Sequence, residues 1–316
     1  YRTEDSDAAF FVRSALSFVD ERPDQPFFLF LSFYEPHSPF PFPIEYAGRV
    51  DPRTMPVPPV GEADRGDTPI VFETLSEDDK RGIAAAYHTS VAFMDDMAGR
   101  FLRGLRERGL AERTLVVYLS DHGYHLGHHG RFEKHSFFER AVRAPLVFVG
   151  PGIPRGRVTH GLVELVDLFP TLSDLAGLPA PEGVQGTSMR TLVEGRSDAG
   201  RSEVFSTYTH AEEGMIRTER WKLIHAVGQR ARDDGYVSRR PTPGRTIRLY
   251  DVLADPDEHH DLAGQPRHAA IVADLERRLH ERLRATWPQD LPPPAGLAPV
   301  EEIDWMLQAP ERLRKR

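Results

Sequence analysis

An α/β fold is predicted: a mainly parallel sheet sandwiched by helices, then a small C-terminal subdomain of antiparallel sheet plus helix. Two observations carry this. Through residue 177, short continuous apolar runs alternate with segments whose apolar residues recur at helical spacing, the pattern of βαβ units. From about residue 200 the runs show partial face alternation instead, which suits antiparallel strands with one solvated side.

The elements follow in order. Residues 5–22 set Ala8, Phe11, Ala15, Phe18 and Val19 at helical spacing, and Pro23 and Pro26 stop that helix. The run Phe27–Phe33 predicts a strand buried on both faces. It closes in Tyr34-Glu-Pro-His-Ser-Pro39, so His37 sits between prolines on a loop of restricted backbone. The proline-rich stretch 41–70 predicts a long irregular loop that roofs a pocket. Ser76-Glu-Asp-Asp79 is a capping box with Asp in place of Glu. It opens a helix through Ile83, Tyr87, Val91, Met94, Met97, Phe101 and Leu105, which Gly109 ends.

Thr114–Leu119 and Ala144–Val149 predict two more buried strands, and 162–177 a helical segment interrupted or kinked at Pro170, with Asp167 structural. Beyond residue 200, Gly214–Ala226 and Arg245–Val252 predict antiparallel strands, joined by a polar loop 228–244 directed at the pocket. A turn at Asp255–Glu258 and an amphipathic helix Ile271–Thr286 follow, and 287–316 is expected to be a peripheral tail. The expected division is therefore 1–199, 200–286 and 287–316.

Bulk properties narrow the function. A chain of 316 residues, 28% charged and 40% hydrophobic, can bury a sizeable core. Its net charge of −8 argues against nucleic acid or an anionic membrane as the main partner. No apolar run approaches the roughly 18 residues of a membrane span. There is no cysteine, hence no disulfide framework and no thiolate metal site. An anionic substrate would need a local positive site against that overall field.

Ser120–Glu139, SDHGYHLGHHGRFEKHSFFE, offers one. Asp121 and His122 come directly after an apolar run, and in open α/β sheets ligands bind beyond the carboxyl ends of strands. Glycines 123, 127 and 130 allow a tight backbone path, and Lys134 follows. That lysine is one of four, against thirty-six arginines, and a compact ammonium differs chemically from a planar guanidinium fork. A zinc site drawn from His122, His125, His128, His129 and His135 has weak support, because no H-E-x-x-H is present and the segment is glycine-rich.

The motif D-H-G-x-x-L-G-x-H-G-x-x-x-K, followed by Phe-Phe-Glu and Arg-Ala-Pro-Leu, resembles the second metal and anion motif of the type I sulfatases of the alkaline phosphatase superfamily. The branch containing iduronate-2-sulfatase and choline sulfatase is the most similar. The P-H-x-P around His37, D-L-F-P-T-L, and R-W-K-L-I with L-Y-D-V-x-x-D-P-x-E-x-x-D-L-A extend the resemblance over nearly all of 1–285.

The resemblance implies an alkaline phosphatase-like fold. It implies Asp121 and His122 as metal ligands, Lys134 on the sulfate, and His37 contacting the sulfate or protonating the leaving group. It implies Ca2+, with Mn2+ as the alternative because imidazole is an unusual ligand for a hard ion. The nucleophile it implies is a formylglycine made from Cys or Ser in C/S-x-P-x-R. That motif, the early Asp-Asp pair and the Lys-x-His-Leu-Gly segment are missing here, and Asp95-Asp96 lies in a helical pattern.

The expectation is therefore the C-terminal portion of a sulfatase, inactive without its nucleophile-bearing part. Its substrate would be a small-molecule or glycan sulfate ester, a sulfated sugar first, handled at strand ends 34–37 and 120–122 that converge with Lys134. A phosphonate monoester or phosphodiester hydrolase of the same superfamily and a non-catalytic relative are the competing readings.

Overall fold

The computed structural model describes residues 1–21, 25–61, 64, 66–179, 182–209, 212–227, 235–238, 244–308 and 313. Pro23 and most of the 228–244 loop lie outside them. In chain order the elements begin with α1 (Asp7–Asp20), α2 (Ile70–Glu73), α3 (Glu77–Glu107), β1 (Val116–Leu119), α4 (Glu139–Val142) and β2 (Leu146–Val149). Then come α5 (Leu168–Leu175), α6 (Arg190–Val193), β3 (Glu203–Tyr208), β4 (Glu213–Thr218), β5 (Trp221–Ala226), β6 (Thr246–Asp251), α7 (Ala269–Thr286) and α8 (Pro299–Met306). Two compact units result.

The first unit holds Tyr1–Pro58, Leu75–Val117 and Phe148–Pro151. Ser6 caps α1, its Oγ accepting from Ala9 N at 3.1 Å. The helix buries Ala8, Ala9, Val12, Ala15 and Val19, whereas Phe11 is 38% exposed. Small side chains face α3 because the two helices approach closely: a Cβ on Gly104 would stand 2.6 Å from Leu16 Cδ2. The capping box of α3 forms as predicted, with Asp79 N to Ser76 Oγ at 3.1 Å and Ser76 N to Asp79 Oδ2 at 2.9 Å. Gly109 follows the last turn with φ +66°, the left-handed conformation a helix stop requires.

Phe27–Phe33 departs from its prediction. It forms no strand, and its exposure alternates, with Phe28 75% and Phe30 73% exposed while Phe33 packs under α1 and α3. β1 and β2 pair with each other, and they too are half-buried rather than buried, since Tyr118, Val147 and Val149 are exposed.

The second unit holds Pro59–Thr74, Tyr118–Val147 and Gly152–Arg316. Its sheet is an antiparallel meander in the order β3-β4-β5-β6, with Ile216 opposite Leu223 and Leu223 opposite Leu249. Those three side chains face α7 and α8 in a core with Leu275, Leu279, Leu283, Ile303, Met306 and Leu307. Met215, Ile224 and Tyr250 point the other way, onto Phe137 and Phe138. Both faces are covered, which is why alternation in the sequence is only partial.

Three expectations change here. Gly214–Ala226 is a hairpin of two strands, turning at Glu219-Arg220, and β3 is an additional strand. Pro170 does not kink α5: it occupies the first turn, where its missing N–H would have no intrahelical partner anyway. Residues 299–307 are not a peripheral tail, because Ile303 and Met306 of α8, with Leu307 just after it, belong to the core. Asp167 is structural as predicted, almost fully buried and accepting from Arg201, Thr187 N and Glu164 N.

Candidate active site

β1 delivers Asp121 and His122 two and three residues beyond its end, where Ser120 N bonds Pro145 O at 3.3 Å and Gly123 N bonds Ala141 O at 2.7 Å. Gly123 is required by that approach, since a Cβ there would stand 2.2 Å from Arg140 O. His122 Nδ1 lies 2.7 Å from Gly123 O. A carbonyl only accepts, so Nδ1 carries the proton and the ring's lone pair is on Nε2, 3.5 Å from Asp121 Oδ2. Asp121 is 81% exposed at its side chain. A carboxylate oxygen and an imidazole nitrogen at that separation could share one ion, and a backbone carbonyl fixing the tautomer is the usual support of a ligating histidine. The pair fits a divalent cation as two of its ligands.

The chain then makes a closed loop. His125 N bonds Glu133 O and Gly127 N bonds Arg131 O, both at 2.9 Å, and Tyr124 Oη donates to Phe132 O at 2.7 Å. Gly127, His129 and Gly130 take positive φ at the tip. With 125 facing 133, half-buried Lys134 lies on the return arm next to the segment that leaves His122. Buried Glu133 accepts from Arg131 at 2.9 Å and from His135. Burial pushes its carboxyl up, but the His135 hydrogen bond and the Arg131 charge outweigh that and hold it down, at about 2. His125 is fully buried, with Nε2 at 2.8 Å from Ser136 Oγ, and burial depresses its imidazole to about 3.

His37 belongs to the first unit. Its N–H bonds Tyr34 O, its carbonyl accepts from Phe40 N, and its ring lies 4.8 Å from that of Tyr34. Nδ1 is 2.8 Å from Ser38 O, so here too the lone pair is on Nε2.

One grouping escaped the sequence. Asp64, His129 and His259 bring their ligand atoms within 4.8 Å of one another. Asp64 Oδ1 is 3.0 Å from His129 Nδ1, and Oδ2 is 3.8 Å from His259 Nδ1. No spacing signal could have found it, because the three residues are 65 and 130 positions apart and only the folded second unit joins them. Asp121 and His122 are not part of it.

Comparisons place these motifs among known proteins. The profile of the family described as Sulfatase matches residues 2–178, and that of N-sulphoglucosamine sulphohydrolase, C-terminal, matches 127–285. A protein named Sulfatase from Formosa agariphila is 30% identical over 276 residues, covering 83% of this chain and 51% of the relative. The phosphonate monoester hydrolase of Silicibacter pomeroyi superposes with TM-score 0.76 at 25% identity, over 92% of this chain and 62% of that one. A structure solved in complex with its substrate D-glucosamine-2-N,6-O-disulfate gives TM-score 0.72 at 22% identity, over 88% and 69%. The α/β fold is thus alkaline phosphatase-like. The chain spans about half the length of the curated relatives it matches.

Proposed function

This chain belongs to the sulfatase family, and we propose on that premise that it carries the second metal and anion motif of an enzyme hydrolysing a sulfate ester of a carbohydrate. The observation that carries the reading is the Asp121–His122 edge, 3.5 Å wide, with His122 turned by Gly123 O so that Nε2 faces the carboxylate. Asp121 and His122 would hold a divalent cation, Ca2+ by family habit and Mn2+ as the softer alternative. When bound, the metal would act as a Lewis acid on the ester oxygen. Lys134 supplies a second positive charge to an anion in a protein whose net charge is −8. His37 is the proposed proton donor to the departing alcohol; with Nδ1 committed to Ser38 O, Nε2 is the nitrogen that would take up a proton and pass it on.

The nucleophile is proposed to be a formylglycine outside these 316 residues, because they contain neither Cys nor a Ser-x-Pro-x-Arg. A sulfated amino sugar as substrate is supported by the N-sulphoglucosamine sulphohydrolase profile over 127–285. The superposition on a phosphonate monoester hydrolase favours a second reading, phosphonate ester hydrolysis at the same metal edge.

The test uses the complete protein with an aryl sulfate and an aryl phosphonate in parallel. Sulfate turnover that falls by about 10³-fold or more in Asp121→Asn and in Lys134→Met is the expected result. A faster rate on the phosphonate establishes the second reading instead, and full activity in either variant removes the assigned roles. Sulfate ester turnover by the 316 residues alone would contradict the placement of the nucleophile.

A further inference from the structure

The geometry points to a second cation site, distinct from the Asp121–His122 edge: we propose that Asp64, His129 and His259 bind one zinc-like divalent ion that staples the tip of the 124–136 loop. Asp64 is 7% and His129 2% exposed, while the His259 side chain keeps 26% of its surface and leaves a path for an ion. Among the described residues, neither buried atom Asp64 Oδ2 nor His259 Nδ1 has a hydrogen-bond partner, and the two face each other at 3.8 Å. A buried carboxylate oxygen left so is costly, and a cation between the two atoms would satisfy both.

The distances suit such an ion. Bonds of ~2.0–2.1 Å in a tetrahedral site put neighbouring ligand atoms about 3.3 Å apart. His129 Nδ1 stands 3.0 Å from Asp64 Oδ1, a hydrogen bond that the ion would replace, and His259 Nδ1 stands 3.8 Å from Oδ2, so each imidazole reaches one oxygen of the shared carboxylate at a separation near that value. Space is kept by Gly61, where a Cβ would stand 3.0 Å from Asp64 Oδ2 and 3.4 Å from His259 Nδ1. The ligands are also held in place. The His129 ring stacks on Phe138 at 3.7 Å and 9°, and its backbone takes φ 56° at the loop tip. The His129 and His259 rings are 5.3 Å apart and tilted by 44°, converging rather than parallel.

The donor set selects the metal. Two imidazoles and one carboxylate suit Zn2+ and its surrogate Co2+, whereas Ca2+ and Mg2+ prefer all-oxygen shells. Three protein ligands leave a fourth position for water. The three residues come from the 59–74 stretch, the motif loop and the turn after β6, all within the second unit. An ion joining them closes long stretches of chain, so binding should stabilise the fold and fix the loop whose return arm bears Lys134.

The test is cobalt(II) titration of the metal-stripped 316-residue chain, read by visible absorption and by thermal melting. Expected is one equivalent of Co2+ giving the intense d–d bands of a four-coordinate ion, displaced by Zn2+, with Tm raised by ~3 °C or more. The Asp121→Asn/His122→Ala double variant should keep the band. His259→Gln and Asp64→Asn should weaken Co2+ binding by at least ~100-fold while far-ultraviolet circular dichroism stays native. His129→Asn, which tolerates the positive φ, is a third variant should Asp64→Asn fail to fold. No four-coordinate band in the parent chain, a band that persists in His259→Gln, or a band lost in the Asp121/His122 variant each overturns the proposal. None of these outcomes depends on sulfate ester turnover, so the two proposals fail separately.

Discussion

Asp167 shows how a single carboxylate organises its surroundings. It sits in a motif shared with the sulfatases, yet it is 2% exposed and receives Arg201 Nε at 2.7 Å and Thr187 N at 2.7 Å. Burial pushes its carboxyl up, but the Arg201 hydrogen bond and the two backbone donors win and hold it below the usual carboxylate range. A depressed native pKa means stability present above the unfolded value of about 3.9 and lost as pH falls through the native one. Asp167→Asn should therefore cost about 3 kcal/mol at pH 7, since it leaves the largely buried Arg201 guanidinium with only the more distant Glu164 carboxylate, 3.6 Å away. That cost should shrink below about pH 4, where the carboxylate of the unfolded parent chain takes up a proton while the native one still resists it. Urea midpoints of the two proteins at pH 7 and pH 3.5 check this; a difference independent of pH would show that shape, not charge, sets the role. At this scale the sequence was informative where chemistry is local. Asp121 and His122 are adjacent, and one backbone bond orients the ring. Asp64 and His259 were illegible because nothing near them in the chain marks them as partners.

Between elements, Lys222 does what no backbone bond does. It is fully buried on β5, with Nζ at 2.6 Å from Glu258, 2.8 Å from Glu139 and 2.9 Å from Phe137 O. One ammonium thus joins the sheet to the start of α4 and to the turn after β6. It also anchors the end of the segment that carries Lys134. Its three donors are all used, and removing it would leave two buried carboxylates facing each other. Lys222→Met, which keeps the length of the side chain, should cost about 3–5 kcal/mol. The loss should reach the motif loop, seen as faster amide exchange at Phe137–Glu139 than at the Ile303–Leu307 end of the core. Equal changes at both places would make Lys222 an ordinary core position. The R-W-K-L-I segment is legible by resemblance, but nothing in its own residues tells what the lysine touches. Element boundaries show the same limit: the α3 capping box is a local hydrogen-bond pattern and was legible, while the β4–β5 turn interrupts one apolar run without Gly or Pro to mark it.

For the whole molecule, apolar surface is the feature that sequence patterning did not foresee. Phe27–Phe33 reads as a strand covered on both sides, because a continuous apolar run says that both faces prefer burial without saying what covers them. Among the described residues, Phe28 and Phe30 stay about three-quarters exposed, and Val149 is 59% exposed. Isolated exposed apolar side chains are ordinary, but consecutive ones on one face bind dyes and other apolar surfaces. A net charge of −8 opposes self-association at low salt and does so less as salt screens it. The 316-residue chain should therefore bind anilinonaphthalene sulfonate in its native state and self-associate increasingly between about 50 mM and 1 M salt. Phe28→Ser/Phe30→Ser should reduce both effects while leaving Tm within a few degrees, because side chains already in water lose little on truncation. Leu279→Ala, in the fully buried core under α8, supplies the contrast and should cost about 2–5 kcal/mol. If the double serine variant melts as early as Leu279→Ala, the Phe28 and Phe30 rings are buried in solution and the two-sided strand expected from the sequence is the better description.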